Sequence, residues 1–227
     1  MRRSLISTII ILLLFCATVF AIPSEGDFLP AEHKSVWGMQ FNHIFGRDFN
    51  KVEGKGTTTQ YFIAASYGLT KRFFLDGKVG MGSVGFDRND GINLDFPGGF
   101  AGGYGFRYVL FEDEGLNVKS IAGFQHISCH PHKDTIASDE HRVIWDEWQG
   151  TWLFIKEWHK SALYGGLQYS ETQLKYKVDT LRWRLKSEDK WGILVGTNYR
   201  FTPNMSINIE GRLFDEKGLN CGVYYKF

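Results

Sequence analysis

The chain has 227 residues, with Lys+Arg 26 against Asp+Glu 25 and a formal net charge of +1, a balance that argues against a nucleic-acid surface and gives no hint of a polyanionic partner. A mean hydropathy of -0.23 would suit a soluble protein, yet aromatic residues reach 16%, beside 26 glycines and only 5 prolines. Strands rich in aromatics and glycine at an unremarkable mean hydropathy are what a transmembrane β-barrel requires, because only every second residue faces lipid.

The chain opens MRRSLISTIIILLLFCATVFA. Arg2 and Arg3 form a basic start, Ile9 to Phe15 a short apolar core, and Val19 and Ala21 are small enough for a signal-peptidase site. Residues 1–21 therefore read as a secretory signal peptide cleaved near Ala21, too short for a lasting transmembrane helix. A lipoprotein leader is disfavoured, since Phe15 stands before Cys16 where a small residue is needed. Residues 22–227 are left, a single-domain length without linker or repeat.

From there the apolar residues alternate with period two, which predicts strands near Val36–Phe45, Thr59–Leu69, Phe73–Phe86, Phe100–Phe111 and Leu116–Ser128. Further strands follow near Trp145–Lys156, Ala162–Ser170, Trp191–Phe201 and Met205–Leu213, and the chain closes on GLNCGVYYKF. The sum is a single antiparallel transmembrane barrel of about ten strands, with eight or twelve also compatible with the pattern. Short turns and longer loops alternate, and an even count places both termini on the short-turn, periplasmic side. Asp76, Lys78, Arg107, Lys119, Arg200, Glu210, Arg212 and Lys226 all fall opposite the aromatic face. Charges of both signs there predict a narrow interior filled by pairing side chains, and not an open porin. A soluble sandwich or lipocalin-like barrel, the rival fold, would bury its aromatics and would not require those charges at mid-strand.

In the last strand Val223, Tyr225 and Phe227 share the apolar face up to the final residue. Such an ending requires the strand to be paired to its tip, closing the barrel against the first strand. It resembles the C-terminal segment of bacterial outer-membrane barrel proteins, which the barrel-assembly machinery reads in that family. The resemblance implies residence in the outer membrane of a Gram-negative cell, among its phospholipids and lipopolysaccharide.

One stretch, GFQHISCHPHKD, breaks the lipid-facing pattern. His126 and Ser128 share a face with Leu116, Val118, Ala122 and Phe124, at the lipid or headgroup boundary. With a hairpin tip near Asp134, Ser128 would lie across from Glu140, which has the parity of Trp148 and Trp152. Serine, imidazole and carboxylate together make a nucleophile, its base and the group that orients the base. At Phe124, His126 and Ser128 the sequence resembles the lipid A 3-O-deacylase (PagL) family, small outer-membrane barrels with an F-x-H-x-S-N motif and a glutamate on the neighbouring strand. The resemblance implies hydrolysis of a lipid A acyl ester, with Ser128 as nucleophile, His126 as base and Glu140 as acid. The chain departs from the motif at Cys129, where the family carries an asparagine linked to the oxyanion. The bland alternative is a set of headgroup-zone side chains bonding phosphates and loop backbone. Metal binding by His126, His130, His132 and Asp134 is disfavoured by the spacing of the histidines on an extended chain. No cofactor is expected. Cys129 and Cys221 have opposite parity, which argues against a disulfide. Two functions therefore stand: an outer-membrane barrel with a filled polar lumen in a structural, adhesive or small-solute role, or a lipid A esterase.

Overall fold

The computed structural model describes residues 28–49, 54–88, 91, 93–136 and 139–227. The expected signal peptide, residues 1–21, and its expected cleavage point lie outside the described residues. Among the described residues there are twelve strands: β1 Ser35–Asp48, β2 Gly54–Gly68, β3 Phe73–Arg88, β4 Asn93–Asp113, β5 Val118–His130, β6 Asp134–Ile136, β7 Asp139–Trp158, β8 Ser161–Val178, β9 Leu181–Lys186, β10 Trp191–Thr202, β11 Met205–Leu213 and β12 Lys217–Lys226. Ten of them close an antiparallel barrel in the order β1-β2-β3-β4-β5-β7-β8-β10-β11-β12 and back to β1. The two short strands stand outside the ring. β6 pairs with β7 beyond the stretch that β5 covers, and β9 pairs with β8 beyond the stretch that β10 covers. The two arms of the long β7–β8 hairpin thus rise past the ring at the end away from their turn at His159 and Lys160, with a short strand on each flank, and this open end is the long-hairpin end of the barrel.

Closure comes from the terminal segment. Val36 pairs with Lys226 and Trp37 with Tyr225, and the Phe227 amide donates to the Ser35 carbonyl at 3.1 Å. No strand edge is left open in the ring, which hydrocarbon would not tolerate.

The predicted loops after the third and seventh strands are largely strand. β4 begins at Asn93 and β8 runs to Val178. Those stretches were polar enough to read as loop, but their alternation continues. Phe86, Leu94, Phe96, Leu174 and Tyr176 turn inward and are buried. Beyond the bilayer, polar outward residues cost nothing while the backbone ladder persists.

Outward positions carry the apolar belt, including Met39, Tyr61, Ile63, Trp152, Phe154 and Val195, all exposed. Along β7 the outward tryptophans run from Trp148 to Trp158. That separation is about 33 Å of strand, or about 25 Å along the axis at a ~40° tilt, the height of a membrane-spanning apolar band. Every charge assigned to the interior lies there. Asp76, Lys78, Arg107, Glu210 and Arg212 are almost fully buried. Lys119 pairs with Glu112 and Glu157, Arg200 with Glu157, and Lys226 sits 4.1 Å above the Phe28 ring.

The lumen is filled in layers. At the long-hairpin end Phe49, Phe86, Phe96, Trp145, Leu174 and Tyr176 belong to one apolar cluster. Below it lies a charged cluster. Arg47 meets Glu147 at 3.2 Å, Asp215 at 3.0 Å and Glu216 at 2.6 Å, and also bonds Thr172 and Ser170. Arg212 joins Glu210 at 2.8 Å and Glu216 at 3.0 Å. On the opposite wall Arg107 binds Asp76 through two bonds of 2.9 and 2.8 Å and reaches Ser66. At the short-turn end Phe28, from the segment before β1, packs with Val36, Ala64 and Tyr224. That segment is tied to β2 by the His33 amide, which donates to the Gly68 carbonyl at 2.8 Å. Glycine makes room for the largest interior side chains. A Cβ at Gly38 or Gly222 would collide with the Tyr224 ring, and one at Gly196 with Tyr164.

Candidate functional site

The departure from an apolar outer surface lies where β4, β5, β7 and β8 run side by side near the long-hairpin end. His126, Ser128 and His130 occupy successive outward positions on β5, because side chains two apart on a strand share a face. Across the ladder His126 pairs with Trp148 and Ser128 with Asp146. Tyr104 on β4 stands opposite His126 on its other side.

The His126 ring stacks on Trp148 with centroids 4.1 Å apart and has Tyr104 at 5.2 Å. Its Nδ1 lies 3.1 Å from the Glu147 carbonyl oxygen. A carbonyl only accepts, so Nδ1 carries a proton and Nε2 is the atom that faces outward chemistry. Nε2 is 3.4 Å from Asp146 Oδ1, an ion pair whenever the ring is charged. The other Asp146 oxygen is taken by Lys175 from β8. Ser128 is bonded elsewhere: its Oγ is 2.8 Å from His130 Nε2.

The structure therefore brings Ser128 and His126 onto one face, as the spacing predicts, but divides them between two partnerships. Ser128 has His130 as its imidazole, and His126 has Asp146 as its acid. Glu140 does not lie across from Ser128. It pairs in register with Thr135 on β6, far along β7 from Asp146, and its carboxylate is held by Lys133 and by Arg142 Nε at 2.6 Å. The Lys133 ammonium first, and then Arg142, hold that carboxyl below the usual glutamate range. The expectation failed because the hairpin tip was placed near Asp134. The chain forms the extra strand β6 before turning, and this moves the register along β7 by six residues, from Glu140 to Asp146.

Asp146 was missed, although a signal existed. In the outward series Trp152, Trp148, Asp146 and Ile144, a lone carboxylate interrupts an apolar row. Cys129, the residue after the serine, points into the lumen and is fully buried. On a strand this follows from alternation alone, so its side chain takes no part on the outer face. Cys221 is on the outward series of β12, and both thiols are free. Among the described residues no three His, Cys, Asp or Glu side chains converge on a common point for a metal. At the C-terminus Val223 and Tyr225 face outward and Phe227 packs edge-on against Tyr225, with centroids 4.8 Å apart.

No family model matches the chain, and no curated protein is similar to it in sequence at a significant level. Its fold is similar to solved structures of outer-membrane proteins. An outer membrane channel from Pseudomonas putida F1 is 13% identical, with a TM-score of 0.51 over 91% of this chain and 100% of that one. The translocator domain of the autotransporter NalP from Neisseria meningitidis is 13% identical, with a TM-score of 0.45 over 88% and 90% of the two chains. Ail, the attachment invasion locus protein of Yersinia pestis, is 14% identical, with a TM-score of 0.43 over 86% and 99%. At such identities the likeness establishes the barrel and nothing of its use.

Proposed function

We propose that this chain is an outer-membrane β-barrel whose lumen is a packed core, so that its work is done by the outer surface at the long-hairpin end and not by conduction. One observation carries this reading. Gln60, Lys78, Arg107, Glu147, Gln149, Ser170, Asn208 and Arg212 all point inward, and each is 2% exposed or less. A water-filled path past these polar walls would wet them. A structural or adhesive role fits such a barrel, and a small-solute role does not. In this reading residues 1–21 direct export and are cleaved near Ala21. Val223, Tyr225 and Phe227 present the last strand to the assembly machinery, and the short turns face the periplasm. The test is fractionation with gel migration before and after heating. The wild type is expected in the outer-membrane fraction with a heat-dependent shift, and deletion of Phe227 should reduce the shifted form sharply. A chain recovered soluble from the periplasm without a shift would overturn the proposal.

A second reading has its own support in the Ser128–His130 contact. A hydroxyl 2.8 Å from an imidazole nitrogen is the geometry by which a serine gives up its proton on attacking an ester carbonyl. In this reading the substrate is a lipid A acyl ester, with Ser128 as nucleophile, His130 as base, and His126 with Asp146 beside it. Mass spectrometry of lipid A from expressing cells decides it. A missing acyl chain should reappear with Ser128→Ala or His130→Ala and stay missing with Glu140→Gln. Lipid A left unchanged by the wild type would end the esterase reading.

A further inference from the structure

Beyond the ring, β7, β8 and β9 form a small sheet whose outward face is crossed by rows of cations. Arg142 on β7 pairs in register with Lys177 on β8, and Lys177 with Arg182 on β9. One outward row closer to the belt, Ile144 is followed by Lys175 and Arg184. Like charges directly opposite one another in a ladder repel. Here they line one groove of about 610 Å³, overhung by the His130–Lys133 segment, and no Asp or Glu among the described residues lines it.

The available acids do not neutralise it. Glu140 serves Lys133 and Arg142, and Asp146 serves Lys175. Lys177, Arg182 and Arg184 make no ion pair among the described residues. The sheet thus holds three uncompensated cations on adjacent strands, two of them guanidinium forks, which suit the paired oxygens of a phosphate better than a single point charge. The height is also defined. Ile144 and Arg142 lie about 10 and about 15 Å along the axis beyond Trp148, outside the hydrocarbon, where a sugar headgroup stands.

We infer that this groove binds the phosphate groups of a phosphorylated glycolipid headgroup, of the lipopolysaccharide class, in the leaflet that surrounds the barrel. The inference rests on the long-hairpin end facing that leaflet. It goes beyond the sealed-lumen reading and holds with or without esterase activity.

The test uses the full mature chain, folded in detergent and checked by its heat-dependent shift, so that binding is measured apart from location. Quenching of tryptophan fluorescence is titrated with purified lipopolysaccharide, with the same material after chemical removal of its phosphates, and with inorganic phosphate. The wild type should bind intact lipopolysaccharide at least about ten-fold more tightly than the dephosphorylated form, and the difference should shrink as salt rises. The variant Lys177→Gln, Arg182→Gln, Arg184→Gln should lose that advantage, whereas Lys71→Gln, Arg72→Gln at the opposite end should keep it. Without lipid the triple variant should unfold at a higher temperature than the wild type, because the repulsion is gone. Equal binding of the intact and dephosphorylated forms, or full affinity in a folded triple variant, would overturn the inference. Saturation by inorganic phosphate alone, with no preference for the glycolipid, would overturn it as well.

Discussion

At the residue scale, single side chains on this barrel are defined by which way a strand turns them. Cys129 and Ser128 are neighbours in sequence, yet one is sealed in the lumen and the other lies on the outer face. Parity made that legible, and the eight charges it assigned to the interior lie there, but Arg47, Glu147, Asp215 and Glu216 of the central cluster were not among them. What sequence could not supply was pairing across strands. The partner of His126 depends on the register between β5 and β7, and the three-residue strand β6 displaced it. The tyrosine sockets were equally hidden, because alternation marks Tyr224 as inward without showing that Gly38 and Gly222 leave space for its ring. Glu140 yields a prediction at this scale. Its folded-state pKa lies below that of an unfolded glutamate, so its contribution to the β6–β7 hairpin is complete above the ordinary value of about 4.3 and is lost as pH falls through and below it. The protection of β6 amides, measured as the exchange rate relative to the intrinsic rate at each pH, should therefore fall on acidification through that range. In Glu140→Gln that protection should already be low at neutral pH and respond less to acid.

At the element scale, the strands are longer than hydropathy announces. An alternating apolar stripe identifies the part of a strand that lipid or core requires. It weakens where the outward residues become polar, as in the far ends of β4 and β8, although the hydrogen-bond ladder goes on. The count of ten in the ring was legible because each crossing repeats the same stripe. The small strands β6 and β9 were not, since each is too short to show a period, but β9 did leave a trace in the alternating cations of LRWRLK. Elements are also coupled through the lumen. Arg47 on β1 reaches Glu147 on β7 and the acids between β11 and β12. Replacing it with methionine leaves Glu147, Asp215 and Glu216 buried without that cation. The expected loss is about 3–5 kcal/mol of stability, read from urea unfolding in detergent micelles. A variant as stable as the wild type would show that water already screens the cluster.

At the scale of the whole molecule, the fold solves two problems at once. The ring leaves no backbone edge in hydrocarbon, and its interior is packed with paired charges, amides and tyrosines capped by apolar clusters at both ends. In the proposed reading function is moved outward, to the rim where histidines, a serine and a row of cations stand on the outer face. Composition and alternation made the sealed barrel legible, whereas the chemistry at the rim depends on contacts between strands. The most direct measurement of the central claim is the electrical conductance of the purified, folded chain in planar bilayers. The sealed lumen predicts a baseline without discrete steps at moderate voltage. Steady single-channel steps from the wild-type chain would contradict it.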